Sequence, residues 1–178
     1  MQRLILTYAQ PPTEQEQTRL GRRLALALLG ELDGRQYTED DLRFTSYGRP
    51  YIEGASSFSI AHCKGMVVAA AATSGVIGVD IEPCDRDVTR ALRRVCDAEE
   101  ERLIARRGAV AVWVAKEAAI KCLGLSALMA GQVRLLDDRA LLRQQVLFVQ
   151  QVAAIPGYAV ALASTVPLPP AQLWPGAS

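Results

Sequence analysis

The chain has 178 residues, of which 50% are hydrophobic and 22% are charged, and its formal net charge is +1. This length and apolar content suit one compact unit, or two small lobes, with a sizeable core. A net charge near zero gives no global field that would favour nucleic acid or a membrane surface as a partner. The longest apolar run, residues 66–72, is far too short to span a bilayer.

Cysteine and histidine usage argues against a structural zinc site. The four cysteines form no Cys-x-x-Cys pair, and the chain has a single histidine. Reduced thiols are the simplest interpretation.

The N-terminus lacks a basic region ahead of a continuous apolar core, so no signal peptide is expected. We therefore expect a soluble cytoplasmic protein.

The first half of the chain is predicted to form a strand, a helix and three further strands. The first strand covers residues 4–8 and is ended by Pro11 and Pro12. Thr13, with Glu16 three residues later, is typical of a capping box and predicts a helix to about Leu32. The three further strands are predicted at residues 58–62, 66–73 and 76–81, with turns at 63–65 and 74–75.

The second half is predicted to be helical first and then to return to strand. Helices are expected at 87–95, 97–106 and 110–123, and Gly108 separates the last two. Strands are expected at 133–136, 147–154 and 158–163, and Pro156-Gly157 marks a turn between the last two. The proline-rich tail from Val166 onward is expected to be irregular.

Two short clusters concentrate the charged residues that carry chemistry. Asp80 and Glu82 lie two apart in a run rich in β-branched residues, so strand alternation directs both carboxylates to one face. Two oxygen ligands suit Mg²⁺, which takes one or two carboxylates together with waters and substrate phosphates. Glu117 and Lys121 are four apart on a predicted helix and are therefore neighbours on one face. Together the clusters fit a site for phosphate chemistry.

Each cluster also has an ordinary structural interpretation. An Asp-x-Glu pair at a strand end is common. Glu117 and Lys121 would, by themselves, be an ordinary surface pair worth ~0.2–0.5 kcal/mol to a helix. The order and separation of the two clusters favour the functional interpretation.

The order of four motifs resembles the signature of the 4′-phosphopantetheinyl transferases, most closely the surfactin-type branch. Gly78-Val79-Asp80-Ile81-Glu82 is followed by Trp-x-x-Lys-Glu-Ala-x-x-Lys at 113–121. Upstream, Tyr47-Gly48-Arg49-Pro50-Tyr51 is similar to the Tyr-Gly-Lys-Pro element of that family. The sequence at 58–63, Phe-Ser-Ile-Ala-His-Cys, is similar to its Phe-Asn-Ile-Ser-His-Ser strand.

This resemblance implies an α/β (α+β) fold, a pseudo-dimer of two small α/β lobes with the site in the cleft between them. A weak internal sequence similarity agrees with two lobes, because residues 65–71 and 157–163 are both small apolar runs that begin with a glycine. We expect residues 1–95 to form one lobe and residues 96–178 the other. Because one chain would carry both halves of the site, we expect a monomer.

The implied reaction is Mg²⁺-dependent transfer of the 4′-phosphopantetheine group from coenzyme A to a serine of an apo acyl or peptidyl carrier protein. Adenosine 3′,5′-bisphosphate is the released product. By resemblance, the metal ligands are Asp80, Glu82 and Glu117. Glu117 would also activate the serine hydroxyl, directly or through water, and Lys121 would offset phosphate charge.

The resemblance also implies residues that contact coenzyme A. His62 matches the phosphate-binding histidine, although a lone histidine is more often structural. Arg49 replaces the usual lysine, and a guanidinium can still bind a phosphate as a fork. Arg19, Arg22 and Arg23 form either a solvated helix face or a face from which Arg19 reaches the coenzyme. Lys116 is expected to point elsewhere, toward solvent or an acidic partner.

Several features depart from the family pattern. Ala61 stands in place of a serine, Val114 in place of a small polar residue, and the basic segment before the first helix is short. The departures leave two interpretations open. The chain is either an active transferase, or a catalytically silent relative that binds a carrier protein or coenzyme A without transfer.

Overall fold

The computed structural model describes residues 2–11, 13–153 and 155–175. The predicted role of Pro12 in ending a strand, and the last residue of the strand predicted at 147–154, lie outside these ranges. The strands are β1 (Leu4–Ala9), β2 (Arg43–Phe44), β3 (Pro50–Tyr51), β4 (Ser57–Cys63), β5 (Met66–Ala72), β6 (Ile77–Pro83), β7 (Arg134–Leu136), β8 (Arg139–Leu142), β9 (Gln145–Gln151), β10 (Tyr158–Ser164) and β11 (Gln172–Leu173).

The helices are α1 (Gln17–Asp33), α2 (Thr89–Val95), α3 (Ala98–Arg107) and α4 (Ala109–Cys122), with short 3-10 turns at Glu14–Glu16, Glu39–Asp41 and Ala127–Gln132. The predicted α/β fold is confirmed. In the part of the chain that the structure describes, no helix combines the length and the apolar character needed to cross a membrane.

The strands form two main sheets and a small hairpin. The first sheet has the order β11-β1-β5-β4, with β11 parallel to β1 and the other pairs antiparallel. The second sheet has the order β6-β10-β9-β8-β7 and is antiparallel throughout. Strands β2 and β3 form the separate hairpin.

The two sheets share one connectivity. In the first, β1 leads into α1 and then into the hairpin β4–β5, and β5 inserts between β1 and β4. In the second, β6 is followed by the helices up to α4 and later by β9 and β10, and β10 inserts between β6 and β9. The internal sequence similarity between 65–71 and 157–163 falls on the two inserted strands.

The pseudo-dimer and the lobe division at residue 95 stay predictions. Strand β6 lies upstream of that division but pairs in the second sheet.

Alternation along the strands divides the core into three parts. On β1, Leu4 and Leu6 join the apolar contacts between the two sheets, where Val160 and Leu162 of β10 also lie. Ile5, between them in sequence, instead packs with the apolar residues of α1. Helix α4 packs on the opposite face of the second sheet. Each sheet therefore has a helix on its outer face and faces the other sheet with its inner side.

Most predicted elements are confirmed, with one correction at a helix start. Thr13 does not cap the backbone of the following turn; its hydroxyl donates to the Glu16 carboxylate at 2.9 Å, and α1 begins only at Gln17. Capping boxes form instead at Thr38 with Asp41 and at Asp97 with Glu100. The short strands β2, β3, β8 and β11 were not predicted, because two- to four-residue strands carry little periodic signal.

Candidate active site

A glycine allows β6 and α4 to approach closely enough to form the site. A Cβ atom on Gly78 would lie 2.2 Å from the carbonyl oxygen of Ala118 and 2.3 Å from the amide nitrogen of Cys122. A side chain at position 78 would therefore push the helix away from the strand. Asp80 follows two residues later on the same face of β6, so this approach brings it to the end of α4.

Two serines hold the free edge of β6. The backbone N–H groups of Ile77 and Val79 donate to the hydroxyl oxygens of Ser57 and Ser59, each at 3.1 Å. Because β6 pairs with β10 on one side only, these donors would otherwise lack strand partners. The serines on β4 thus attach the first sheet to the strand that carries Asp80, a role that sequence reasoning missed.

Asp80 and Lys121 form an ion pair at this junction. The Lys121 ammonium lies 2.6 Å from Asp80 Oδ1. Asp80 is 5% exposed, whereas the Lys121 side chain is 33% exposed. Asp80 Oδ2 is buried and has no hydrogen-bond partner. Burial raises the pKa of the Asp80 carboxyl, and the Lys121 ammonium opposes part of that rise.

Glu117 lies one helical turn before Lys121 and belongs to the same cluster. Its Oε1 atom is buried without a hydrogen-bond partner. Burial raises the pKa of the Glu117 carboxyl; the Asp80 charge raises it further, and Lys121 opposes both. An ordinary surface pair on a helix would not have a buried, unsatisfied carboxylate oxygen. The structure thus brings Asp80, Glu117 and Lys121 together, and the catalytic and binding roles assigned to them stay predictions.

Glu82 is engaged by a different cation. Its carboxylate pairs with the guanidinium of Arg86, which lies four residues later beyond the end of β6. As arranged, no three His, Cys, Asp or Glu side chains within residues 2–11, 13–153 and 155–175 form a group that could hold a metal ion. The arginine at Glu82 and the lysine at Asp80 supply positive charge beside the predicted ligands. The three-carboxylate metal site stays a prediction.

Asp80 and Glu117 nevertheless fit a hard cation. Each offers a carboxylate oxygen that is buried and unpartnered, and Mg²⁺ commonly takes only one or two carboxylates from the protein. A buried carboxylate oxygen without a donor costs folding free energy that a bound cation would recover.

His62 and Arg19 lie at the neighbouring end of β4. Partial desolvation of the ring and then the Lys121 ammonium lower the pKa of His62, whereas the Asp80 charge raises it, so the imidazole lies within electrostatic reach of the ion pair. Arg19 is exposed in the first turn of α1, and that turn reaches the end of β4 because Gln17 Nε2 donates to the carbonyl of Cys63 at 2.9 Å. Coenzyme contacts of both residues stay predictions.

Arg49 contacts main-chain carbonyl groups. Its guanidinium donates to the carbonyls of Lys121 at 3.0 Å and Ile77 at 2.9 Å, and also to that of Cys122. Burial lowers the pKa of Arg49 from its usual value. The phosphate contact that the resemblance implied for this residue stays a prediction, and carbonyl groups already engage its donors.

The expectation that Lys116 points toward solvent or a partner is wrong. Its side chain is 0% exposed, and its ammonium lies 2.6 Å from Glu100 Oε1. It also donates to the carbonyls of Val95, at 3.1 Å, and Val133. The error arose because helix position alone says which way a side chain points but not what packs there. The Asp97-x-x-Glu100 sequence predicts a capping box at the start of α3, but it carries no signal that Glu100 is buried against Lys116.

A cavity of about 260 Å³ opens beside Glu117 and Lys121. The hairpin residues from Tyr47 to Pro50 form another of its walls. A larger groove of about 830 Å³ also contacts Arg49 but contains neither Glu117 nor Lys121. The smaller cavity is therefore the candidate substrate site, because the titratable groups border it.

Ala61 and Val114, the two departures from the family pattern, lie away from this cavity. Ala61 is buried between the sheets, and Val114 is buried in the core under α4. Apolar side chains at these positions contribute to packing.

Comparison with known proteins gives one family match, in the second part of the chain. Residues 76–162 match the family model of the 4′-phosphopantetheinyl transferase superfamily, and this segment carries a domain of that superfamily. The match begins just before β6 and includes Asp80, Glu82, Glu117 and Lys121, whereas Arg49 and His62 lie upstream of it. No curated protein matches the chain. The match supports a transferase, and phosphopantetheinyl transfer is the general activity of the superfamily that it matches.

Proposed function

We propose that this chain is a Mg²⁺-dependent 4′-phosphopantetheinyl transferase of the surfactin-type branch. The substrates are coenzyme A and an apo acyl or peptidyl carrier protein, and the chain acts as a monomer in the cytoplasm. The observation that carries the proposal is the convergence of Asp80, Glu117 and Lys121, with one unpartnered, buried oxygen on each carboxylate. The superfamily match at 76–162 gives this cluster its chemical context.

The reaction joins a serine hydroxyl to a phosphate that already carries negative charge. The serine oxygen forms a bond to the phosphorus of the phosphopantetheine arm, and the phosphorus–oxygen bond to the adenosine bisphosphate breaks. The electron pair of that bond leaves with adenosine 3′,5′-bisphosphate. The protein must therefore remove one proton from the serine and neutralise charge on the pyrophosphate.

Glu117 is the group assigned to take the serine proton. Its pKa is raised by burial and by Asp80, which makes its carboxylate a better base than an exposed glutamate. It borders the cavity next to Lys121, so the accepted proton stays beside the reacting groups. Positioned acid–base groups contribute typically about 10²–10⁴-fold to a rate.

Asp80 and Glu117 are assigned to hold Mg²⁺, and Glu82 would join them if its carboxylate left Arg86 for the metal. When bound, the metal would neutralise charge on the pyrophosphate. Lys121 adds a cation that is one-third exposed at the cavity and so remains accessible to a phosphate. His62 and Arg19 are assigned to phosphates of coenzyme A, because both lie at the end of β4 and start of α1 near this cluster.

Mass spectrometry of a panel of apo carrier proteins tests the proposal. Each carrier is incubated with this chain, coenzyme A and Mg²⁺, and the same mixtures with a chelator serve as controls. We expect at least one carrier to gain the mass of one phosphopantetheinyl group only when the metal is present. Complex formation without any mass gain would support the silent relative instead. Sedimentation of the chain at a mass near three chains would contradict the monomer.

A further inference from the structure

Arg49 connects the two elements that carry the charged cluster. One of its terminal nitrogens donates to the carbonyls of Lys121 and Cys122, the last two residues of α4. The other donates to the carbonyl of Ile77, the first residue of β6. The residue itself lies on neither element, because it precedes β3 in the small hairpin.

The end of a helix explains why a guanidinium stands there. The last carbonyls of an α-helix lack intrahelical partners, and they form the negative end of the helix dipole. An arginine presents a rigid, planar fork of N–H donors that can satisfy carbonyls on two elements at once. A lysine at the same place would present a single compact ammonium on a flexible stem.

These contacts flank the Asp80–Lys121 ion pair. Arg49 holds the backbone of Lys121, whose side chain reaches Asp80 at 2.6 Å, and it also holds Ile77, three residues before Asp80 on β6. A shift of the end of α4 would move the ammonium of Lys121 and, one turn earlier, the carboxylate of Glu117. Misplacement by about 1 Å can lower a rate by about 10²-fold.

We propose that Arg49 is a positioning residue, which fixes the end of α4 against β6 and thereby sets the distance between Lys121 and Asp80. This assignment rests on the proposed function for its effect on turnover, and it replaces a phosphate contact of Arg49. The two roles differ in what they affect. A phosphate ligand acts on coenzyme affinity, whereas a positioning residue acts on turnover and on the local stability of the helix end.

Amide hydrogen exchange at the end of α4 tests the assignment without any need for transfer. The amides of Leu123 and Leu125 donate to Ala119 and Ile120, so they report whether this helix end opens. The variants are Arg49→Met and Arg49→Lys, with Arg102→Met, an exposed arginine on α3, as the matched control. Affinity for adenosine 3′,5′-bisphosphate is measured on the same proteins by calorimetry.

We expect exchange at these amides to rise by roughly tenfold or more in both Arg49 variants and to stay unchanged in Arg102→Met. Bisphosphate affinity should stay close to wild type, and turnover should fall without a rise in KM for coenzyme A. If these amides exchange at the wild-type rate in Arg49→Met, the assignment is overturned, whatever the bisphosphate affinity. Wild-type protection of the same amides in Arg49→Lys would overturn it too. If Arg49→Met fails to fold, Arg49→Lys, which keeps the charge and stem, decides by itself. Absence of transfer by the wild type would refute the proposed function but leave the exchange result valid.

Discussion

The two lysines of α4 make the same kind of contact in very different surroundings. Lys116 and Lys121 each lie 2.6 Å from a carboxylate oxygen. Around Lys116, the charged groups are fully hydrogen-bonded. The ammonium donates to two carbonyls as well as to Glu100, and the Glu100 carboxylate also accepts hydrogen bonds from the amides of Leu135 and Asp97. Around Lys121, Asp80 and Glu117 each keep a buried oxygen without a donor.

The difference shows how to separate a structural ion pair from a functional one. A buried charge is tolerated when hydrogen bonds satisfy it completely, and the pair at Lys116 meets that condition. An unsatisfied buried carboxylate oxygen costs free energy, so its presence on Asp80 and Glu117 requires a reason other than stability. The proposed binding of a cation and a phosphate substrate would supply that reason.

Removing one partner of the saturated pair should have the largest effect on stability. We expect Lys116→Met to lower the free energy of unfolding by about 3–5 kcal/mol, because Glu100 would remain buried without its cation. Lys121→Met, the same substitution five residues later on α4, should cost less than half as much, since Lys121 is one-third exposed and solvent screens its attraction to Asp80. Urea unfolding of both variants measures the difference. Equal losses of unfolding free energy in the two variants would contradict the distinction between a structural pair at Lys116 and a functional pair at Lys121.

Neutralising Glu117 should affect the rate far more than the fold. We expect Glu117→Gln to lower turnover by at least ~10²-fold, as loss of a general base does. Its melting temperature should equal or exceed that of wild type, because the substitution removes a buried charge whose oxygen lacks a donor. Glu101→Gln, an exposed site on α3, is the control. Steady-state kinetics that do not change in Glu117→Gln would exclude Glu117 from the chemistry.

Adding a methyl group at Gly78, where β6 meets α4, should lower both stability and turnover moderately. We expect Gly78→Ala to cost about 1–3 kcal/mol, the usual range for overpacking, because the new methyl group meets backbone atoms that cannot move aside. Turnover should fall with it, since the helix carries Glu117 and Lys121. Gly30→Ala on α1 is the matched control, because its Cβ would make only an ordinary contact, 3.4 Å from the Arg35 carbonyl oxygen, and alanine favours helix. A Gly78→Ala protein as stable and active as wild type would contradict the close approach.

The pH dependence of stability should give the smallest effect. The folded pKa of Glu117 is raised, so the folded state holds its proton more tightly than the unfolded chain does. The contribution of Glu117 to stability is therefore greatest below the unfolded pKa of about 4.3 and declines as pH rises through the folded value. Subtracting the Glu117→Gln profile from that of wild type isolates this contribution from other carboxyls. A difference that grows more favourable to wild type with rising pH would contradict the raised pKa.

Sequence patterns predicted the helices and strands with strong periodicity, and they predicted on which elements the charged residues of the site lie. Strand alternation placed Asp80 on β6, and helical spacing placed Glu117 beside Lys121. The partners across elements were not predictable, because they depend on how the sheets and helices pack against one another. The carbonyl contacts of Arg49, the serines that hold β6 and the burial of Lys116 with Glu100 all join residues that are distant in sequence.

Calorimetric titration of Mg²⁺ in the presence of adenosine 3′,5′-bisphosphate tests the central claim most directly. The claim is that the unsatisfied carboxylates at the end of α4 bind a cation, whereas the saturated pair at Lys116 serves the fold. We expect wild type and Glu101→Gln to bind the metal, and Asp80→Asn and Glu117→Gln to lose most of that binding while remaining folded. Metal binding of wild-type strength in both Asp80→Asn and Glu117→Gln would contradict the account.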